Sequence, residues 1–536
     1  MTRLVAGVDV GNATTEVVLV RDGTILGASR APTRGRKGSP DSLRGAAALV
    51  RRVERQAGRR ADEARIAALR PVDTSVLTVP DTATSHGRLR VLAAGVPTPG
   101  GTGSCVGPPA LAASAARSPV VLVPADLRYD EAAARINAGP APGAVLVAGD
   151  EGVLIANRLD RPVPVIDQVD VTAAAGCELI AVEVRPPGRP MRLLSDPVAL
   201  AAAFGLGDQD AAHAAALCRT LTDYPNAVVG LLRSPDHTPP GRDEPWVSLA
   251  DGERVSLRAA CARLPDWPPG TVRALNATSV DDLFAVDLAA AAEAVIARQG
   301  SVGRAVLVAS LAAAGDADKP ADQLAALLDV PVSSPCSEPA AARLGALTTP
   351  GARDDALVVD LGAGTIDIVG AGAQATVAGA GELLTAAVAE LLGIPRAAAD
   401  WVKRGPCIRV DGGLRYEGED GTRGFLDAPA PPSAAGMLAV SGPGGWLPFD
   451  RRRSPGEWRV IRLRIKQDVL RKNLQRGMRT AGADPSQILV VGGPAGDEEL
   501  LAVIGRSVPG GPAIGRGNVG GTLGHRYAAA FGLAVG

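Results

Sequence analysis

The chain has 536 residues, a length that divides into two to four domains and can bury a sizeable core. Charged residues make up 21% and hydrophobic ones 46%, a soluble globular mix that excludes long disorder and fibrous repeats. Lys+Arg and Asp+Glu number 56 and 57, so no basic excess is left over for phosphate backbones and no nucleic-acid partner is expected.

In chain order, Leu4 to Val20 reads as two short apolar runs, LVAGVDV and TTEVVLV, split by Gly11-Asn12-Ala13, the pattern of a β-hairpin with a small-residue turn. Ser42 to Arg65 sets leucine, valine and alanine at helical spacing with arginines opposite, and Ile66 to Val79 returns to strand composition. A Gly/Pro/Thr loop at Gly95 to Gly107 changes the texture. Strands are predicted at Val120 to Val123, Ala144 to Ala148 and Val153 to Ala156, and a helix at Asp196 to Asp223, before the polar, proline-rich connector Ser234 to Glu244. A second α/β region opens with a helix at Asp281 to Arg298 and strands at Ala305 to Ala309 and Ala356 to Asp360. Dense Gly and Pro between Arg409 and Trp458 predict loops and an irregular insertion. A basic helix from Trp458 to Ala481, the strand Ile488 to Val491, Gly492-Gly493-Pro494 and a helix from Glu498 to Ile504 complete the pattern.

The six cysteines contain no C-x-x-C pair, which argues against a zinc ribbon or disulfide framework and for reduced thiols. The opening residues carry no export signal, and no apolar window approaches the ~18 residues of a membrane span, so a soluble, cytoplasmic chain without membrane contact is expected.

The most informative feature is a repeat. VDVGNATTEV (Val8 to Val17) and VDLGAGTIDI (Val359 to Ile368) align with Asp9 on Asp360, Gly11 on Gly362, Thr14 on Thr365 and Glu16 on Asp367. Glycine leaves backbone N–H groups free to cradle an anionic phosphate, helped by the threonine hydroxyl. An aspartate ending the preceding strand repels phosphate but suits the Mg²⁺ that bridges phosphate oxygens. A single such turn is equally an ordinary hairpin with a capping aspartate; two copies favour a clamp. ILVVGGPAGDEEL adds a strand, two glycines and a helix, where backbone can closely approach a nucleoside. No P-loop sequence is present.

These three elements, in this order, resemble the ATPase superfamily of actin, sugar kinases and the seventy-kilodalton heat-shock chaperones. PTPGGTGSCVG (Pro97 to Gly107), GDEGVLIANRLDRPVPVIDQV (Gly149 to Val169), GALTTPGARDDALVVDLGAGTIDI (Gly345 to Ile368) and VAGAGELLTAAVAELLG (Val377 to Gly393) narrow the resemblance to the large subunit of diol or glycerol dehydratase reactivases. With GRGNVGGTLGHRYAAAFGL (Gly515 to Leu533) the resemblance covers nearly the whole chain. It implies an α/β chain with a duplicated actin-like ATPase fold and an inserted swivelling α/β domain. Residues 1–82 form the first ATPase segment, 83–250 the swivelling domain and connector, and 251–536 the second segment with a loop insertion at about 409–458. It also implies a chaperone that uses ATP and Mg²⁺, pairs with a small subunit, and releases damaged cobalamin from an inactivated adenosylcobalamin-dependent dehydratase.

By that resemblance Asp9 and Asp360 are the catalytic, metal-side carboxylates. Asn12, Ala13 and Thr14 meet the phosphates from one side, and Gly362, Ala363, Gly364 and Thr365 from the other. Asp400, Trp401, Val402 and Lys403 supply the adenine-side helix, Gly493 and Pro494 the nucleoside turn, and Arg526 or Tyr527 closes the pocket. Pro494 stands where relatives often have serine, removing a hydroxyl and an N–H. A second cation in the swivelling domain falls on Thr98, Asp167 and Glu183. Glu16 and Asp367 are reserve candidates, expected to face the strand surface, and the chain reads as trimmed around residues 255 to 335. The rival readings are a small-molecule kinase of the same superfamily, for which no substrate base stands out, and an actin-like ATPase scaffold. The activator of hydroxyacyl-CoA dehydratases needs paired cysteines, which are absent.

Overall fold

Leu4–Val10 and Thr14–Arg21 pair antiparallel, and their almost unbroken apolar runs are buried on both faces, as expected of strands covered on either side. The computed structural model describes residues 3–80, 85–96, 100–112, 118–186, 189–222, 224–233, 245–288, 303–313 and 318–536. The chain divides into two compact units, the first being residues 1–77, 245–295 and 305–536, the second 78–244 and 296–304.

The repeat governs the first unit. One five-stranded sheet runs Val332–Ser333, Glu63–Ile66, Leu4–Val10, Thr14–Arg21, Thr24–Pro32. Another runs Ala513–Arg516, Gln487–Val491, Leu357–Leu361, Thr365–Val369, Gln374–Ala378. In both, an antiparallel three-strand meander is extended by parallel strands reached through helical crossovers. The duplicated α/β fold is thus present in strand order as well as in sequence.

The two sheets exchange helices. Glu338–Ala346 follows the last strand of the first sheet but packs against the second; Ala528–Val535 follows the last strand of the second but packs against the first. They cross where neither has room for a side chain: a Cβ on Gly345 would overlap the Ala528 carbonyl, and one on Gly532 the Ala341 carbonyl. Ala528, Ala530, Phe531 and Ala534 share one buried core with Val5, Val18, Val358 and Leu489, so this crossing joins both sheets.

The second unit is also α/β. An antiparallel sheet that includes Leu89–Ala94, Gly103–Gly107, Leu179–Val184 and Asn226–Leu231 carries the helices Pro197–Phe204 and Asp208–Leu221 over one apolar cluster. A four-stranded parallel sheet packs across the other. Among the described residues, no helix is long and apolar enough to cross a membrane.

Four predicted elements differ. Val153 to Ala156 lies in a short helix, Gly152–Ala156, because four apolar residues fit either periodicity. Asp196 to Asp223 is two helices, parted by Gly205 in left-handed conformation (φ 63°). Asp281 to Asp287 belongs to the strand Thr278–Asp287, while 289–298 lie outside the described residues. Residues 409–458 are not loops: Ile408–Asp411, Arg415–Gly418, Arg423–Phe425, Leu438–Gly442 and Gly445–Asp450 form a five-stranded antiparallel sheet. Gly412, Gly413, Gly421, Pro443 and Gly444 sit in the tight turns between these short strands, while Gly418, Gly424, Gly442, Gly445 and Pro448 lie in the strands themselves.

Candidate functional site

The two hairpin turns are built alike: the Gly11 N–H donates to the Thr14 carbonyl at 2.9 Å, and the Gly362 N–H to the Thr365 carbonyl at 2.9 Å. They meet at Gly364, where a Cβ would press on Val72 and the Asn12 amide. The Asn12 side chain is spent locally, donating to the Val72 carbonyl (2.5 Å) and accepting from its N–H (3.3 Å). Asn12 therefore fixes the turn. Both turns open on a cleft of about 450 Å³.

The register places like charges opposite each other in both copies, Asp9 across from Glu16 and Asp360 across from Asp367. Such pairs destabilise a sheet unless a cation or protons compensate. Glu16 and Asp367 are buried and line the cleft instead of facing an outer strand surface. Burial raises all four carboxyls, with neighbouring carboxylates adding to it: Asp9 and Asp360 rise well above the ordinary value, Glu16 to about 7 and Asp367 to about 6. Threonines temper two of them, Thr14 donating to Glu16, and Thr365 and Thr376 to Asp367 at 3.2 and 2.5 Å.

The compensating cation on this wall is Lys37, paired with Glu338 at 2.6 Å. Burial alone would lower its pKa; Glu338 and Asp9 outweigh that and raise it, so the ammonium is firmly held. Glu338 opens its helix in a Ser-Glu-Pro start, the Ser337 hydroxyl accepting from the Ala340 N–H.

At the other end, Gly492 adopts φ 86°, and a Cβ there would overlap the Asp360 carboxylate and the Leu361 carbonyl, so only glycine lets the turn lie on that carboxylate. His525 and Arg526 close over the turn: the Gly492 N–H donates to the His525 carbonyl at 2.8 Å, and the Arg526 guanidinium packs on Gly493. The Pro494 ring rests on Gly381, whose helix begins beside the second hairpin turn. Lys403 ties that helix to the next, donating to the Gly381 carbonyl (2.9 Å) and Thr385 (2.6 Å) and pairing with Asp400 (2.7 Å). Asp400 and Lys403 line the cleft. Trp401 and Val402 do not; Trp401 lies under Arg404, 4.7 Å from ring centroid to guanidinium, and Val402 is fully buried.

Two family models cover most of this chain. Residues 269–536 match the diol dehydratase reactivase ATPase-like domain, and 93–237 the swivelling domain of the same reactivating factors. The chain belongs to the diol dehydratase reactivase family. It is 29% identical to the propanediol dehydratase-reactivating factor large subunit of Citrobacter freundii, and 28% to the diol dehydratase-reactivating factor large subunit of Klebsiella michiganensis, each over 99% of this chain and 98% of the relative. Among solved structures it resembles the diol dehydratase-reactivating factor in nucleotide-free form (TM-score 0.59, 26% identity, 99% of each chain). The glycerol dehydratase reactivase shares the fold at TM-score 0.59 and 24% identity, again over 99% of each chain.

The swivelling-domain residues are less uniform. Thr98 lies outside the described residues. Asp167 is buried, burial raises its pKa, and its Oδ1 has no hydrogen-bond partner. Glu183 is committed elsewhere, accepting from the Arg192, Leu193 and Leu194 N–H groups at 2.7, 2.8 and 2.9 Å. Among the described residues no three His, Cys, Asp or Glu side chains converge closely enough to hold an ion unaided. Sequence reasoning missed Lys37 and Glu338. The Ser-x-Pro helix start marked Glu338 as an N-terminal carboxylate, but nothing in the sequence joins it to a lysine 301 residues away.

Proposed function

We propose that this chain is the large subunit of an ATP-dependent reactivating chaperone, acting with a small subunit on an adenosylcobalamin-dependent diol or glycerol dehydratase and releasing damaged cobalamin from the inactivated enzyme. The observation that carries it is the pair of equivalent Gly-to-Thr turns facing one cleft, each preceded by a strand-end aspartate with a suppressed tendency to ionise. Membership of the reactivase family, over both its ATPase-like and swivelling parts, supports the chaperone half.

In this reading the amides of Ala13 and Thr14 and those of Ala363 to Thr365 donate to phosphate oxygens from the two sides, Gly362 shaping the turn, while Gly493, Pro494, Arg526, Asp400 and Lys403 surround the nucleoside. The four carboxyls stand in like-charged pairs short of a cation, which would suit a Mg²⁺ held by two of them together with the nucleotide. Asp9 and Asp360 would hold it, and when bound it supplies neutralisation of phosphate charge. Asp360, or Asp9 across the cleft, orients water in line with the terminal phosphate. Lys37 holds Glu338 and Asp9 in place and adds positive charge where the terminal phosphate sits. A second cation at Asp167 fits its unpartnered oxygen; Glu183 acts there as a brace for residues 192–194.

The test is recovery of activity by a glycerol-inactivated or cyanocobalamin-blocked dehydratase, given fresh adenosylcobalamin, ATP and Mg²⁺, with and without this chain and its small subunit. Recovery that requires ATP hydrolysis is expected. Hydrolysis without recovery would overturn the chaperone assignment while leaving the nucleotide site intact.

A further inference from the structure

Beneath the nucleoside end of the cleft lies a buried cluster of charges that the roles above do not use. The Arg462 guanidinium, 1% exposed, holds two carboxylates at once. It donates to both oxygens of Glu419 (2.6 and 2.9 Å) and both of Glu499 (2.9 and 2.6 Å). Lys466, equally buried, donates to Asp497 and Glu499, each at 2.6 Å. Glu419 also accepts from the Cys407 N–H at 2.7 Å. A Cβ on Gly405 would overlap the guanidinium, so the Gly405-Pro406 backbone lies directly on it.

Three separate segments meet at this one side chain. Gly405-Pro406 and Asp497 to Glu499 both line the cleft, and Glu419 belongs to the five-stranded inserted sheet, between Arg415–Gly418 and Arg423–Phe425. Double bidentate pairing fixes the plane of the guanidinium and hence the spacing of its partners.

We propose that Arg462 is a positioning residue for the nucleoside subsite, and that Glu419 makes the inserted sheet part of that subsite's support. Arg462 reaches no phosphate-side group; it sets the separation between the Gly405-Pro406 wall and the helix after the Gly492-Gly493 turn. This inference rests on the nucleotide reading of the cleft.

The test compares two ligands, ATP and inorganic tripolyphosphate, each with Mg²⁺, on the full chain with its small subunit. Glu419→Gln suits it: the buried part of the cluster holds two cations and three carboxylates, so losing this charge leaves two against two there, the exposed Arg459, 4.0 Å from Glu419, turns to solvent, and glutamine can still accept from Cys407. Arg462→Lys, which keeps the charge but not the fork, is the second variant, and thermal denaturation checks that both fold. ATP affinity is expected to weaken about tenfold in each, with tripolyphosphate affinity and saturated hydrolysis rate unchanged. Equal losses for both ligands, or no loss for ATP in the folded variants, would overturn the positioning role. Wild-type protein binding neither ligand would instead sink the nucleotide reading itself.

Discussion

Replacing Glu16 by glutamine should stabilise the nucleotide- and metal-free protein, and by an amount that depends on pH. Glu16 is 5% exposed, faces Asp9 across the hairpin, and feels Glu338 as well as the opposing Arg526 and Arg30; burial dominates and lifts its pKa from 4.5 to about 7. Below pH 4.5 folded and unfolded states both carry the proton, and the group costs nothing. Between 4.5 and 7 the folded state binds more protons than the unfolded, so unfolding free energy falls as pH rises, and above 7 the full cost is present. At 1.36 kcal/mol per unit this cost is about 3 kcal/mol. The unit carrying it has about 360 residues. At ~2.1 cal/mol/K per residue the gain amounts to roughly 4 °C in melting temperature. Glutamine keeps the shape and the Thr14 hydrogen bond, so Glu16→Gln should match wild type at pH 4.5 and melt about 4 °C higher at pH 8. Mg²⁺ with ADP should shrink that gain by giving the wild-type carboxylate a partner. Calorimetry at four pH values reads the effect. A variant less stable at pH 8, or a gain that does not change with pH, would refute the reasoning.

Asp360→Asn should lower single-turnover ATP hydrolysis at least about a hundredfold while ADP binding, followed by calorimetry, stays within about threefold. Gly492→Ala forces a Cβ into the Asp360 carboxylate at positive φ, and should weaken ATP binding and cost more than about 2 kcal/mol in thermal stability. Gly532→Ala, by contrast, intrudes on backbone at the helix crossing and should abolish soluble expression, while Gly482→Ala, with open space around it, should cost only about 1 kcal/mol in melting experiments. Arg476→Met would strand the buried Asp282 carboxylate, and a loss of about 3 to 5 kcal/mol in denaturant titration is expected.

The hairpins were legible because their signal is local and doubled: Asp9 and Asp360, Gly11 and Gly362, Thr14 and Thr365 stand at the same offsets, and the chain folded them into the same turn. The duplicated sheet followed, since a repeated strand-turn-strand with parallel extensions admits few topologies. What was illegible depends on distance or ambiguity. Lys37 and Glu338 meet only because a crossover returns the helix start to the first sheet's end. The inserted sheet was hidden by its own composition: with strands of three to six residues, turn-forming glycine and proline outnumber any alternating pattern. Trp401 and Val402 share a seven-residue helix with Asp400, and the 3.6-residue period turns them from the cleft that Asp400 lines. Glu183 looks like a ligand in sequence, whereas the folded chain spends it on three amides.

At Gly345 and Gly532 the two exchanged helices cross backbone to backbone. With backbone pressed on backbone there, any change in the angle between the two helices is felt at their far ends. Glu338 stands seven residues from Gly345, a lever arm of about 10 Å at 1.5 Å per residue. A turn of roughly 10° about that point carries its carboxylate through about 2 Å, enough to part it from Lys37, 2.6 Å away. The lysine–glutamate pair thus doubles as a gauge of the angle between the two sheets, sitting at the wall where the terminal phosphate is proposed to lie.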